Sequence, residues 1–137
     1  PEIIEQYPDL TQPLVQVTEL DKSRFLAAGM ESGLDRTRAS LKIQDGCDYK
    51  CTYCIIWEAR GPSRCLPVAD LQAQLRALVE DEGFHEVVLT GINIGQYRDT
   101  DGTDLAGLLS ALLDVSGPAR LRLTSLDPLE VDDALIK

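Results

Sequence analysis

The spacing of apolar residues changes near residue 39 of this 137-residue chain. Before that position the apolar residues follow no sustained period. After it, three short apolar stretches predict β-strands at residues 40–44, 85–91 and 120–125. Between them, leucines repeated every three or four residues predict amphipathic helices through residues 71–79 and 105–113. This alternation is typical of right-handed crossover units on a parallel sheet, so the predicted fold class is α/β.

Local signals mark the ends of the two helices. Asp70 and Asp104 place negative charge in the predicted first turns, where the helix dipole favours it, and Thr103 is the predicted N-cap of the second helix. Three units are too few to close a barrel, so the order fits a doubly wound sheet or the opening half of a barrel. Both place their chemistry in the loops at the C-terminal ends of strands. The cysteine-containing loop after the first strand, "TGINIGQY" after the second and "SLDP" after the third are therefore predicted to share one rim.

Composition narrows the choice of partners. The net charge is −10, and an acidic chain is a poor sequence-independent ligand of nucleic acid because phosphate contacts require clustered Lys and Arg. Arginines do gather on both sides of the first strand and its loop, as solvated charges or as contacts for an anion or substrate: Arg36, Arg38, Arg60 and Arg64. The first residues lack the features of a secretory signal and no apolar run reaches membrane-spanning length, so we expect a cytoplasmic protein with no membrane partner.

Three cysteines follow the first predicted strand at the spacing C-x3-C-x2-C: Cys47, Cys51 and Cys54. In a reducing compartment, such clusters are more often metal ligands or redox groups than disulfides. Three thiolates on a four-iron cluster leave one iron open to a small molecule, whereas a structural zinc site needs a fourth ligand, which Cys65 would supply. Spacing alone leaves the open cluster, zinc and other uses as alternatives.

With Tyr53 directly before the last cysteine, this spacing resembles the signature of the radical S-adenosylmethionine enzymes. The resemblance implies that the three cysteines hold a [4Fe-4S] cluster. It further implies that the amino and carboxylate groups of S-adenosylmethionine chelate the fourth iron and that Tyr53 lies against the adenine. In that superfamily, reductive cleavage of S-adenosylmethionine gives a 5′-deoxyadenosyl radical that abstracts hydrogen.

The surrounding segments "RASLKIQDGCDYKCTYCII", "RGPSR", "VVLTGINIGQY" and "RLRLTSLDPLEV" occur in an order that resembles the methylthiotransferases, over about residues 36–137. Within these, "KIQDGC" and "LTGINIG" look most like the threonylcarbamoyladenosine tRNA branch, rather than the branches acting on isopentenyladenosine tRNA or on a ribosomal protein. The resemblance implies that residues 39–137 form the N-terminal half of a radical S-adenosylmethionine core domain, a partial (β/α)6 TIM-like barrel. Residues 1–38 would then be the linker from a missing N-terminal domain, and the chain a piece of a longer protein.

The resemblance also implies further site residues. Gly91 and Asn93 would face the methionine moiety, while Ser125 and Asp127 would line the rim after the third strand. The alternative interpretation is that Asn93 is an ordinary turn residue and Ser125 a hydrogen bonder at a strand end. The position of Cys65 is commonly Ser in this family, so Cys65 is not expected to be a ligand.

The whole protein would methylthiolate C2 of N6-threonylcarbamoyladenosine next to the anticodon of tRNA, with an electron donor such as flavodoxin or ferredoxin as a further partner. This chain alone is not expected to complete that reaction. Trp57 and Glu58 depart from the family pattern after the third cysteine. We also expect parallel strands that are apolar on both faces and an open edge at the third strand, through which the chain could self-associate.

Overall fold

The structure is a computed structural model that describes residues 37–136, so the predicted linker lies outside the described residues except for its last two positions. The strands are β1 (Ala39–Lys42), β2 (Gln44–Asp45), β3 (Arg64–Cys65), β4 (Glu86–Thr90) and β5 (Arg120–Leu123). The helices are α1 (Ile56–Arg60), α2 (Val68–Arg76), α3 (Leu105–Leu113) and α4 (Asp133–Ile136). A π-helical turn (Ala77–Asp81) extends α2, and 3-10 turns follow β4 (Ile94–Gln96) and β5 (Pro128–Glu130).

Three strands form a parallel sheet in the order β1–β4–β5. Ala39 pairs with Val87, and Glu86 pairs with Arg120. Because α2 and α3 connect successive parallel strands, the predicted α/β class and the order of strands and helices are confirmed, and the order is that of the first units of a TIM-like barrel. The predicted strand 40–44 is divided, since β1 ends at Lys42 and Gln44 belongs to β2 in a separate sheet. The sequence did not predict the separate antiparallel pair of β2 and β3, in which Gln44 lies opposite Cys65.

One face of the sheet packs against the helices. Alternate residues of β1 and β4 are buried there against leucines of α2, the π-helical turn and α3, and together they form most of the core: Ala39, Leu41, Leu71, Leu75, Leu78, Val87, Leu89, Leu105, Leu108 and Leu112. The opposite face carries polar and charged residues, among them Ser40, Lys42, Glu86 and Arg122. The expectation of strands apolar on both faces was therefore wrong, because the described helices cover only one face.

The N-cap of α3 is Asp104, not Thr103 as predicted. The Asp104 carboxylate accepts a hydrogen bond from the Gly107 N–H at 3.0 Å. Thr103 instead belongs to the preceding acidic turn, where its N–H donates to the Asp99 carboxylate at 2.9 Å. A carboxylate at the cap also has favourable electrostatics with the helix dipole.

Within residues 37–136, none of the helices combines the length and the apolar character needed to cross a lipid bilayer.

Candidate cluster and cofactor site

The cysteine loop, defined as residues 46–63, is closed at its base. The β2–β3 pair holds the two ends of the loop together, and the Cys47 N–H donates to the Gly61 carbonyl at 3.0 Å. Gly46 begins the loop with φ of +76°, and a Cβ at this position would collide with the Pro62 carbonyl. The left-handed conformation and the close approach of the two chain segments both require glycine here.

Asp45 fixes the base of the loop electrostatically. Its side chain is fully buried and contacts Lys42 Nζ at 3.0 Å, Arg64 Nη2 at 3.1 Å and Arg60 Nη1 at 3.6 Å. Burial is the largest influence on the Asp45 pKa and raises it, but hydrogen bonds from Lys42 and the Gly46 N–H, with the charges of Lys42 and Arg64, outweigh burial and lower that pKa overall. Two of the four arginines singled out in the sequence thus bind a buried carboxylate.

The other two arginines lie on the N-terminal side of β1. Arg38 forms an ion pair with Glu86 of β4 at 3.6 Å. Arg36 lies outside the described residues. Arg38 therefore lies at the N-terminal end of the sheet, opposite to the cysteine loop.

The three predicted ligands are free thiols on one loop. Cys51 is exposed, whereas Cys47 and Cys54 are half-buried. A tight turn joins the last two, because the Cys54 N–H donates to the Cys51 carbonyl at 3.0 Å. Soft thiolate ligands suit iron–sulfur clusters, so the chemistry of this donor set fits the implied [4Fe-4S] group.

The three thiols are held differently by the backbone. In the part of the chain that the structure describes, no three His, Cys, Asp or Glu side chains are grouped closely enough to hold a metal ion. The Cys47 backbone is anchored at the loop base, whereas Cys51 and Cys54 lie on the turn further along the loop.

Gln44 connects the cysteine loop, which is the first loop of the rim, to the loop after β4, which is the second. Its side chain is fully buried, and its Oε1 accepts hydrogen bonds from the Ile92 N–H at 2.9 Å and the Asn93 N–H at 3.0 Å. Its Nε2 donates to the Gly46 carbonyl at 2.7 Å. A Cβ at Gly91 would lie 2.8 Å from Gln44 Oε1, so Gly91 permits this contact. One buried amide thus satisfies backbone groups of both loops.

The second rim loop is connected by a hydrogen bond to the third, which is the loop after β5. The Ile94 N–H donates to the Ser125 carbonyl at 3.1 Å. Ser125 adopts φ of +53°, a conformation that is uncommon outside glycine. Asp127 caps the following 3-10 turn by accepting from the Leu129 N–H at 2.9 Å. The predicted sharing of one rim by the three loops is therefore confirmed by direct hydrogen bonds.

Asn93 sits at the centre of this rim. It is 8% exposed, and its side chain accepts from the Gly95 N–H at 3.3 Å while donating to Glu130 Oε1 at 3.0 Å. The other oxygen of Glu130 is buried and has no hydrogen-bond partner among the described residues. The nearby Glu130 carboxylate is the main cause that raises the Tyr49 pKa, so Glu130 also faces the cysteine loop.

The aromatic residues of the loop differ in environment. Tyr53, which the resemblance places against the adenine, lies in the turn between the last two cysteines with 92% of its surface exposed. Trp57 lies in α1, and the Lys50 ammonium is 5.9 Å from the centre of its ring, a cation–π distance. The residues after Cys54 thus form a short helix, α1, which also contains Glu58.

Cys65 has a different environment from the three loop cysteines. It lies in β3, where its sulfur accepts a hydrogen bond from the Arg98 N–H at 3.3 Å. Its pKa is raised, chiefly by burial.

Three site residues escaped the sequence analysis: Gln44, Gln96 and Glu130. Gln44 lies inside "KIQDGC", and a polar residue at the buried end of a strand was the only available signal. The partners of Gln44 lie 48 and 49 residues away in the chain, so these contacts depend on the tertiary fold.

A thiol-bearing loop at the C-terminal rim of a parallel sheet is the arrangement of a radical S-adenosylmethionine enzyme, and the chain belongs to that family. The Radical SAM superfamily profile matches residues 41–125. Among curated proteins, the chain is 40% identical to the threonylcarbamoyladenosine tRNA methylthiotransferase MtaB of Bacillus subtilis (strain 168), over 98% of this chain and 30% of that protein. The protein of the same name from Rickettsia prowazekii (strain Madrid E) is 34% identical, over 98% of this chain and 33% of that protein.

A second kind of relative also matches. The tRNA-2-methylthio-N(6)-dimethylallyladenosine synthase of Stutzerimonas stutzeri (strain A1501) is 35% identical, over 100% of this chain and 31% of that protein. The chain thus spans about a third of the length of these relatives. The resemblance to radical S-adenosylmethionine methylthiotransferases is confirmed, and the alternative of a noncatalytic zinc module is not favoured.

Proposed function

We propose that the cysteine loop holds a [4Fe-4S] cluster through Cys47, Cys51 and Cys54. The observation that supports this most strongly is the placement of three free thiols on one loop at the C-terminal rim of the parallel sheet, in a chain of the radical S-adenosylmethionine family. When bound, the cluster supplies the electron for reductive cleavage of S-adenosylmethionine. The anchored Cys47 and the exposed turn of Cys51 and Cys54 would supply the fixed and the adaptable ligands respectively.

We further propose that S-adenosylmethionine lies across the same rim. The residues that line its site would be Tyr53, Gly91, Asn93, Ser125 and Asp127. The exposed Tyr53 ring offers a surface for stacking against adenine. The rim is continuous, because hydrogen bonds connect all three loops, so a single ligand could contact each of them. The interaction of Asn93 with Glu130 gives the Asn93 side chain a fixed orientation within this rim.

For the whole protein, we propose methylthiolation of tRNA, with the C2 hydrogen of N6-threonylcarbamoyladenosine next to the anticodon replaced by a methylthio group. The relatives from Bacillus subtilis and Rickettsia prowazekii support this substrate. The relative from Stutzerimonas stutzeri supports a second candidate, the dimethylallyl (isopentenyl) adenosine of tRNA. A ribosomal-protein substrate, a flavodoxin or ferredoxin electron donor, a cytoplasmic location and self-association at the β5 edge remain predictions.

Anaerobic reconstitution with iron and sulfide tests the proposed cluster. The chain should bind about four irons with the broad visible absorbance of an iron–sulfur cluster. Alanine at Cys47, Cys51 or Cys54 should abolish that absorbance, and Cys65→Ala should retain it. A Cys65→Ala variant that loses iron as completely as Cys51→Ala would show that the open three-cysteine site is wrong. Colourless protein with one zinc per chain would restore the zinc alternative.

The proposed substrate needs a separate test. The whole protein would be supplied with S-adenosylmethionine, a reductant, sulfide as the source of the inserted sulfur, and tRNA isolated from cells that cannot methylthiolate it. Mass spectrometry of the digested nucleosides should show the methylthio product of N6-threonylcarbamoyladenosine. Product formed only from the isopentenylated nucleoside would favour the second candidate substrate.

A further inference from the structure

Gln96 connects the second rim loop to the base of the cysteine loop. It ends the 3-10 turn Ile94–Gln96, and its backbone is fixed because its N–H donates to the Asn93 carbonyl at 3.2 Å. Its side-chain Oε1 accepts a hydrogen bond from the Asp48 N–H at 2.9 Å. Its Nε2 lies 3.8 Å from the Cys47 sulfur, within the range of an N–H···S hydrogen bond. Gln96 therefore contacts a proposed cluster ligand directly.

The orientation of the Gln96 amide is determined by its partners. The Asp48 backbone N–H can only donate, so the amide atom facing it must be the oxygen. The NH₂ group is then directed to the Cys47 sulfur. Cys47 is also the thiol whose backbone is anchored, through its N–H to the Gly61 carbonyl. Two independent hydrogen bonds thus hold the Cys47–Asp48 segment against the rim before any metal binds.

We propose that Gln96 is a positioning residue for the iron–sulfur cluster, which places Cys47 at the rim and donates a hydrogen bond to its sulfur. This inference rests on the proposed function, because it assigns Gln96 a role toward the same cluster. Hydrogen bonds to ligand sulfurs are among the factors that set the reduction potential of iron–sulfur clusters. The reduced cluster carries one more negative charge, so a donor to sulfur stabilises it more than the oxidised cluster. Gln96 therefore raises the reduction potential.

Two substitutions separate the hydrogen bond that Gln96 donates to the Cys47 sulfur from the hydrogen bond that it accepts from the Asp48 N–H. Gln96→Glu keeps the size of the side chain and an acceptor for the Asp48 N–H, but it replaces the donor to sulfur with a carboxylate. Gln96→Leu removes both hydrogen bonds. Gln72→Glu is the matched control, since it introduces the same charge and also loses a donor, yet the Gln72 amide donates to the Ala111 carbonyl of α3 at 2.8 Å and not to a cysteine.

The measurement is the reduction potential of the reconstituted cluster, obtained by anaerobic redox titration followed by electron paramagnetic resonance. For Gln96→Glu, the equilibrium should shift about tenfold toward the oxidised cluster, which is about 59 mV for a one-electron couple. Gln96→Leu should shift in the same direction. The Gln72→Glu control should stay within about twofold of wild type, or about 18 mV by the same constant.

The outcomes distinguish a failure of the proposed cluster from a failure of the role assigned to Gln96. A wild-type chain that forms no cluster overturns the proposed function and this inference together. A wild-type cluster whose potential is unchanged in both Gln96 variants overturns this inference alone. Loss of iron binding in both variants, with the urea midpoint of the apo chain unchanged, supports the positioning role, because Cys47 would then require Gln96 to reach the cluster. A shift of equal size in Gln72→Glu overturns the role assigned to the hydrogen bond.

Discussion

Replacing Asp45 with asparagine should destabilise the chain by roughly 3 kcal/mol, because removal of one partner of a buried ion pair leaves the other charge uncompensated. Asn keeps an acceptor for the Gly46 N–H but loses the charge that faces Lys42 and Arg64, whose side chains are only 16% and 11% exposed. Arg60 adds little, since its side chain is 45% exposed and its contact with Asp45 is screened by water.

Urea unfolding followed by circular dichroism at pH 7 measures this loss. With an m-value of about 1–3 kcal/mol/M, the midpoint should fall by roughly 1–3 M. Asp101→Asn, which removes a carboxylate on an exposed turn residue, is the matched control and should change stability by less than about 0.5 kcal/mol. If Asp45→Asn is as neutral as Asp101→Asn, the charge cluster does not hold the base of the loop and the reasoning is wrong.

The same substitution makes a prediction about pH. The folded-state pKa of Asp45 lies below its ordinary value of 3.8, so the stabilisation from its ionised form is fully present above that value. It is lost as the pH falls from there through the lower folded-state pKa. The stability difference between wild type and Asp45→Asn should therefore be constant from neutral pH to about pH 5 and shrink below about pH 4. A difference that grows with acidification would contradict the assigned direction.

Three further predictions concern the rim and the loop base. Gly46→Ala should lower the unfolding free energy by at least about 2 kcal/mol, measured with urea, because the positive φ and the Pro62 carbonyl both oppose a Cβ; a neutral result would show that the loop base relaxes freely. Gln44→Glu should cost roughly 2–3 kcal/mol at pH 7, since a buried carboxylate would replace the donor to the Gly46 carbonyl, and equal stability to wild type would contradict that bond. Burial raises the pKa of Cys65, so its alkylation by iodoacetamide should accelerate only at pH values above the ordinary pKa of a thiol. Mass spectrometry maps the alkylated cysteine, and rapid modification of Cys65 at pH 8 would contradict this prediction.

The regular elements were predictable because their signal is local. The leucine spacing of α3 gave its full extent, residues 105–113, since every buried position of that helix recurs at helical intervals. The β2–β3 pair gave no such signal, because strands of two residues have no period to detect. The N-cap of α3 was placed one residue early, as Thr and Asp are both good caps and only the Asp99 turn decides between them.

The candidate site was predictable to the extent that its chemistry lies in residue type. Thiols at short spacing favour a soft-metal loop over other uses, whatever the partners of the loop are. The supporting amides and carboxylates are different: Gln96 meets Asp48 across 48 residues and Asn93 meets Glu130 across 37. No periodicity carries that information, because the contacts exist only after the sheet has brought the three loops together.

The antiparallel β2–β3 pair at the base of the cysteine loop affects which changes in sequence this fold can accept. Since β2 and β3 hold the ends of residues 46–63 side by side, the length of the loop does not set the distance between the strands of the parallel sheet. A longer loop would therefore leave the register of the parallel strands unchanged, and doubling its length costs only about 0.6 kcal/mol in closure entropy. We expect this segment to accept insertions, or exchange for a loop with another set of ligands, while the sheet beneath it stays the same.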